Sequence, residues 1–198
     1  MMQGQRSGRV VVVSGPSGVG KTTLVERLFE RCRVPLVRSI SATTRPPRGD
    51  EADGVDYHFL TPQQFERLRD EGGFLECFEV FGRGYWYGTP WSEVRSALQS
   101  GKCVVLNIDV HGAAAVMEKY DDAITVFVRT ESIDELRRRL ELRGTDPLAE
   151  IDKRLERAEY ELSMAHRYRY QVINDDLDRA VEELCTFLTE QWEIDKND

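Results

Sequence analysis

The run Gly15-Pro16-Ser17-Gly18-Val19-Gly20-Lys21-Thr22 carries the strongest chemical signal in the chain and matches G-x-x-x-x-G-K-[ST]. Glycines let a backbone wrap a phosphate without steric cost, and they leave successive N–H groups pointing at its oxygens. The run follows a β-branched stretch and opens a helical pattern, so a helix N-terminus adds its dipole. Lys21 is then placed to bridge the outer phosphates, and the Thr22 hydroxyl to help hold Mg²⁺. This is a nucleoside-triphosphate site. A second cluster lies in 39–59, SISATTRPPRGDEADGVDYHF, where Arg45 and Arg48 flank a rigid Pro46-Pro47 step. Two arginines stiffened by prolines make a preformed clamp for a phosphate dianion. A third, ELRRRLELRGTDPLAEIDKRLER, puts Arg139 and Arg143 four residues apart on one helical face, with Arg154 on a second helix after a break at 144–147.

These residues need a scaffold, and the periodicity supplies one. Arg9–Ser14, Lys102–Asp109, Ile124–Arg129 and Tyr170–Ile173 read as strands, the first three as apolar runs suited to cover on both faces. Helices are expected at Pro62–Glu71, Pro90–Ser100, Ser132–Arg143, Pro147–Arg167 and Asp176–Glu193, with another after the glycine loop marked by Leu24, Leu28 and Phe29. Thr61 before Pro62 is an N-cap with proline in the favoured first turn. Strands alternating with helices imply a parallel sheet with crossover helices. The stretch from Ser39 to Gly88 is rich in Gly, Pro, Tyr and Thr and reads as an insertion with its own small mixed sheet.

Composition narrows the class further. The chain has 198 residues, 40% hydrophobic and 31% charged, enough for one sizeable core. No apolar run approaches the ~20 residues of a membrane span, and the N-terminus lacks the apolar stretch of a secretion signal. A net charge of −8 argues against nucleic-acid and anionic-membrane binding. Its cations are 22 Arg against 5 Lys, the balance of a protein that grips small phosphates in forks. Cys32, Cys77, Cys103 and Cys185 are scattered, which points to a reduced, cytoplasmic compartment. His58 and His166 lack ligand-type neighbours, so no protein-ligated metal is expected.

A phosphate loop alone does not choose among kinases, GTPases and motor-type ATPases. Asp109-Val110-His111-Gly112 reads D-x-x-G, as in GTP-hydrolysing switches, but no N-K-x-D segment follows it. Taken in order, SGPSGVGKTT, SATTRPPR, DGVDYHF, FLECFEVF, YWYGT, NIDVHGA and ELRRRLELRGTD resemble the guanylate kinase family over nearly the whole chain. The resemblance implies an α/β fold: a three-layer α/β/α P-loop core with a parallel sheet (about 8–38, 90–130 and 168–198), a GMP-binding insertion (39–89) and a helical lid (131–167), all in a single domain. It implies ATP-dependent phosphorylation of GMP, and of dGMP, with Mg²⁺ carried in on ATP.

By match, Gly15, Pro16, Ser17, Gly18, Val19, Gly20, Lys21, Thr22, Thr23 and Asn174 would bind ATP. Ser41, Arg45, Arg48, Tyr57, Glu76, Tyr87, Thr89 and Asp109 would bind GMP. Lys21, Arg45, Arg139, Arg143 and Arg154 would be the catalytic residues, with Arg143 and Arg154 neutralising charge in the transition state and Arg139 assisting. Glu76 suits guanine because one carboxylate can accept from both N1–H and the N2 amine, where adenine offers an acceptor and no amine. Tyr87, rather than Tyr85, is favoured at the GMP phosphate by the adjacent Gly88-Thr89. His111 stands where the family usually carries Gln, and the Phe81–Gly88 segment is longer than is common. Retention of Lys21, Thr22, Arg143 and Arg154 argues against a catalytically silent scaffold module of the same family. The acceptor-rich Glu76, Ser41 and Asp109 argue against a kinase for AMP or a pyrimidine nucleotide. ATP and GMP are the expected partners, and a monomer or a homodimer is equally compatible with the sequence.

Overall fold

The computed structural model describes residues 8–80, 84–144 and 147–194; the side chains of Val80, Arg143 and Ile194 fall outside that description. In chain order the elements are β1 (Val10–Ser14), α1 (Lys21–Arg31), β2 (Leu36–Arg38), β3 (Ala42–Thr43), β4 (His58–Phe59), α2 (Pro62–Asp70), β5 (Phe74–Val80) and β6 (Tyr85–Pro90). They continue as α3 (Trp91–Gln99), β7 (Cys103–Asn107), α4 (Val110–Lys119), β8 (Ile124–Arg129), α5 (Ile133–Arg143), α6 (Leu148–Ser163), β9 (Tyr170–Ile173) and α7 (Leu177–Ile194).

The expected fold class holds: a mixed α/β chain with a mostly parallel main sheet, in the order β2-β7-β1-β8-β9. β8 and β9 run parallel, with Val126 opposite Tyr170 and Arg129 opposite Ile173. Val104 N–H donates to Arg9 O and Ile108 N–H to Val13 O, so β1 and β7 advance together and are parallel as well. Val10–Val13, Cys103–Leu106 and Ile124–Val128 are buried along both strand faces, which is why they read as continuous apolar runs instead of alternating ones.

A second sheet has the order β4-β3-β6-β5, mixed as expected: β3 and β4 are parallel, while β6 is antiparallel to both β3 and β5. Phe65 of α2 stacks on Phe74 at 4.4 Å, and with Ala42 they form the small core of this sheet. The start of α2 is set by a capping box. Gln64 N–H donates to Thr61 Oγ1 at 3.2 Å, and Thr61 N–H donates to Gln64 Oε1 at 2.8 Å. Thr61→Ala removes one arm of that box and should cost about 1 kcal/mol in denaturant unfolding, with the slope of the transition unchanged.

Three elements depart from the sequence reading. α4 was not expected, because His111, Gly112 and the Ala113–Ala115 run give it no large apolar stripe at helical spacing. β2 is only three residues long at the sheet edge. The helix expected to end at Arg167 stops at Ser163 and is followed by a single 3₁₀ turn at Ala165–Arg167.

The chain divides into two compact units. The first holds the residues up to Val11 with Val37–Leu106 and His111–Ala123; the second holds Val12–Leu36, Asn107–Val110 and the chain from Ile124 onward. Residues 39–89 fall wholly in the first unit and 131–167 wholly in the second. No helix among the described residues is long and apolar enough to cross a membrane.

Candidate active site

In the second unit, β1 delivers the chain to the glycine loop and α1 begins at Lys21. Gly15 has φ +139°, and a Cβ there would lie 2.0 Å from Val128 O, so only glycine lets the loop leave β1 so close to β8. Gly20 has φ +90°, and its missing Cβ makes room for Asn174, whose Nδ2 donates to Val19 O at 2.8 Å. Asn174 is buried at the end of β9 and therefore clamps the loop from beneath. Lys21 Nζ donates to Gly15 O at 2.6 Å and to Pro16 O at 2.8 Å, folded back along the loop.

Withdrawal from water pulls the Lys21 ammonium down to about 8, with Glu161 and Asp109 opposing the shift by their charge. Glu161, on α6, escaped the sequence reading. It is buried, its carboxyl is pushed up by desolvation against the pull of Lys21 and Arg157, and Arg157 Nε lies 3.6 Å from its Oε1. Tyr168 lies in the same cluster: burial pushes its phenol up to about 12, the Ser14 hydroxyl opposes that shift, and Asp109 adds to it. No sequence spacing links Glu161 or Tyr168 to the loop; only the fold brings them there. Asp109, expected at the nucleobase, follows β7 and is felt by Lys21.

The arginines of α5 and α6 are held differently. Arg139 Nε donates to Glu135 Oε1 at 2.8 Å, and Glu135 also takes two bonds from Arg138. Those bonds from Arg138, then Arg139, hold the Glu135 carboxyl down at about 2. Arg154 is half-buried on α6. The expected role of the Arg143 side chain lies outside the described atoms. Thr22 and Thr23 are exposed in the first turn of α1.

In the first unit, Arg45 is the hub. Its guanidinium is only 5% exposed and makes a two-pronged pair with Glu51 at 2.9 Å on each arm, while Nε donates to Tyr87 Oη at 3.0 Å. The Glu51 bonds raise Arg45 further and hold the Glu51 carboxyl below its ordinary range. Tyr57 lies edge-on to Tyr87 at 5.9 Å, with the Arg45 guanidinium carbon 5.4 Å from the Tyr57 ring centre. Arg48 joins through its backbone, its N–H donating to Glu51 Oε2 at 2.8 Å. Glu51 is a further residue the sequence reading missed; its position six residues after Arg45 was the available signal.

Register assembles the neighbouring group. Glu76 on β5 faces Thr89 on β6, and Thr89 Oγ1 donates to Glu76 Oε1 at 2.7 Å, both residues buried. Phe78 faces Tyr87 in the same ladder, and the His111 ring lies 6.3 Å from Phe78. Ser41 stands immediately before β3, its carbonyl accepting the His58 N–H. Residues 81–83 of the long connecting segment lie outside the described residues.

A buried parallel strand, a glycine loop whose lysine opens a helix, and a mostly parallel α/β sheet together define a phosphate-loop nucleotide-binding protein. The guanylate kinase family model matches residues 7–191, and the chain belongs to that family. It is 48% identical over 185 residues to a guanylate kinase of Rhodopirellula baltica, covering 93% of this chain and 88% of that one. It is 47% identical over 188 residues to a guanylate kinase of Thermus thermophilus, covering 95% and 82%. Among solved structures, the guanylate kinase of Anaplasma phagocytophilum superposes with a TM-score of 0.77 at 30% identity, covering 94% and 87%.

Proposed function

We propose that this chain transfers the γ-phosphoryl group of ATP to GMP, giving ADP and GDP. The observation that carries this reading is the clustering of Arg45, Tyr57 and Tyr87 with the buried Glu76–Thr89 pair in one unit, while the other holds the Lys21 loop. The first unit takes a nucleoside monophosphate. Arg45, Arg48, Tyr57 and Tyr87 receive the phosphate, which competes with Glu51 for the Arg45 fork. Glu76, with Ser41 and Thr89, reads the guanine edge, and dGMP presents the same base and phosphate. The second unit takes ATP on Gly15–Thr23, with Asn174 holding the loop in shape.

A phosphate oxygen of GMP attacks the γ-phosphorus as the bond to the β–γ bridging oxygen breaks, and ADP leaves. The nucleophile is already an anion, so no general base is assigned. The chain supplies position and positive charge: Lys21 on the outer phosphates, Arg45 on the acceptor, and Arg139, Arg143 and Arg154 on the transferred group. The donors suit Mg²⁺ carried in on nucleotide. Thr22 offers a hard hydroxyl oxygen, Asp109 lies near Lys21, and the described residues contain no cluster of three His, Cys, Asp or Glu that would cage an ion alone. When bound, the ion neutralises charge on the phosphates. Closure of residues 131–167 over ATP would keep water from the γ-phosphate. Four free thiols support a cytoplasmic setting.

The test is ADP formation from ATP–Mg²⁺ with GMP, AMP, CMP and UMP offered separately. GMP should be the accepted substrate; equal turnover of another monophosphate would overturn the assignment of the base.

Lys21 adds a pH signature. Its folded value of about 8 lies below the ordinary 10.5, so burial destabilises the charged form below 8, and this penalty is relieved as pH rises from 8 towards 10.5. A bound triphosphate favours the ammonium, so ATP binding should take up a proton increasingly as pH rises through 8. Calorimetry in buffers of different ionisation enthalpy reads this directly; the absence of uptake above 8 would contradict it.

A further inference from the structure

α3 begins where β6 ends, with Pro90 as its N-cap and Glu93 as the acidic residue of its first turn. A glutamate at this third helical position ordinarily turns back to accept the N–H of its own N-cap residue, but proline has none to give. Glu93 instead reaches out of its helix with both oxygens. Its Oε1 accepts the His58 Nε2–H at 3.0 Å, and its Oε2 takes a longer bond of 3.5 Å from the Ile40 N–H. A carboxylate only accepts, which places the hydrogen of the first bond on Nε2.

Both partners stand next to residues of the monophosphate site. Ile40 precedes Ser41 and follows Ser39, whose N–H still pairs with Val105 O of β7 at 3.1 Å. His58 follows Tyr57. The ring centres of Tyr57 and Phe59 lie 5.4 and 5.9 Å from the Arg45 guanidinium carbon, so alternation along the extended chain turns His58 to the opposite side. Glu93 therefore holds this strand from behind its working face. The hold matters because β4 has only two residues and lies at the edge of its sheet. It is tied to β3 by His58 N–H to Ser41 O and Leu60 N–H to Thr43 O, each at 2.9 Å. All of these residues belong to the first unit.

We propose that Glu93 is a positioning residue for the monophosphate site, fixing Tyr57 through His58 and Ser41 through Ile40. This rests on the placement of Ser41 and Tyr57 in that site and adds a residue that acts on the nucleotide only through them. The effect is preorganisation: a short edge strand that is already held loses less freedom when it closes on a phosphate.

Steady-state kinetics of Glu93→Ala, His58→Ala and the double variant, each with an unfolding curve, test the proposal. Glu93→Ala should raise KM for GMP about five- to tenfold, as fits one charged hydrogen bond at a partly exposed pair, with kcat changed less than about twofold. KM for ATP should not move. His58→Ala should act in the same direction, and the double variant should be no worse than Glu93→Ala, because the two changes delete one shared contact. Glu93→Gln keeps an oxygen for the imidazole N–H and should recover most of the wild-type KM. In the free protein, hydrogen exchange at the amides of Ile40, His58 and Leu60 should quicken in Glu93→Ala while β1 and β8 keep their protection. An unchanged KM for GMP in folded Glu93→Ala, an equal rise in KM for ATP, additive effects in the double variant, or unchanged exchange at those amides would each overturn the proposal. If Glu93→Ala unfolds, His58→Ala decides by the same measurements. Were the wild-type chain to prefer another monophosphate, the reading of the base would fall, while the same comparison with that nucleotide would still decide the role of Glu93.

Discussion

Glu76→Gln is expected to lower kcat/KM for GMP by about 10²–10³-fold, mostly through KM, while leaving the KM for ATP nearly unchanged. The magnitude comes from hydrogen bonds to a charged group, worth about 1.5–3 kcal/mol each, two of which one carboxylate can take from the guanine edge. The substitution keeps volume and leaves an amide oxygen able to accept the 2.7 Å bond from Thr89, so the β5–β6 ladder survives. What changes is that an amide N–H₂ now confronts the donors of guanine. Discrimination against AMP should collapse along with GMP activity, because a site built to accept from its substrate loses most when it presents a donor instead. Steady-state kinetics with GMP and AMP, beside an unfolding curve, separate loss of recognition from loss of fold. An unchanged KM for GMP in a folded variant would remove Glu76 from the base-reading role.

Lys21→Met should lower kcat by about 10²–10³-fold or more, the cost of deleting one preorganised donor aimed at transition-state charge. Methionine matches the aliphatic stem, so α1 should persist. The variant also loses the donor to Gly15 O and Pro16 O, and it leaves Glu161 with Arg157 alone to oppose its burial. ATP binding should therefore weaken together with turnover, whereas GMP binding, which belongs to the other unit, should hold. Equilibrium binding of each nucleotide alone tests that division. A variant with near-normal kcat, or one that loses GMP binding as severely as ATP, would contradict it.

Which parts were legible in the sequence follows from how local each interaction is. The glycine loop was legible because its chemistry is written in consecutive residues: the left-handed turns at Gly15 and Gly20 and the lysine at the helix start all lie within eight positions. The capped start of α2 was legible for the same reason, since Thr61 and Gln64 are three apart. Buried strands announced themselves because a strand covered on both faces has no polar positions to spare. α4 did not, because a helix built on alanine and glycine leaves little periodic contrast.

The residues of the monophosphate site could be named through resemblance, but their partnerships could not. Tyr87 meets Arg45 because β6 pairs with β3, and Thr89 meets Glu76 because β6 pairs with β5; a slip of one residue would turn these side chains to the opposite face. Glu51 shares the Arg45 fork only because the turn at Gly49-Asp50, closed by Glu51 N–H donating to Arg48 O at 3.0 Å, brings it back. Asn174 reaches Val19 across 155 positions, and the charge of Glu161 bears on Lys21 from a helix more than a hundred residues away. The sequence by itself determined the phosphate chemistry and the α/β class, because short-range spacing and burial patterns encode both. Tertiary structure alone decided which carboxylate opposes which cation and how far Lys21 is pulled from water, because charge and desolvation depend on distances through space that chain order does not record.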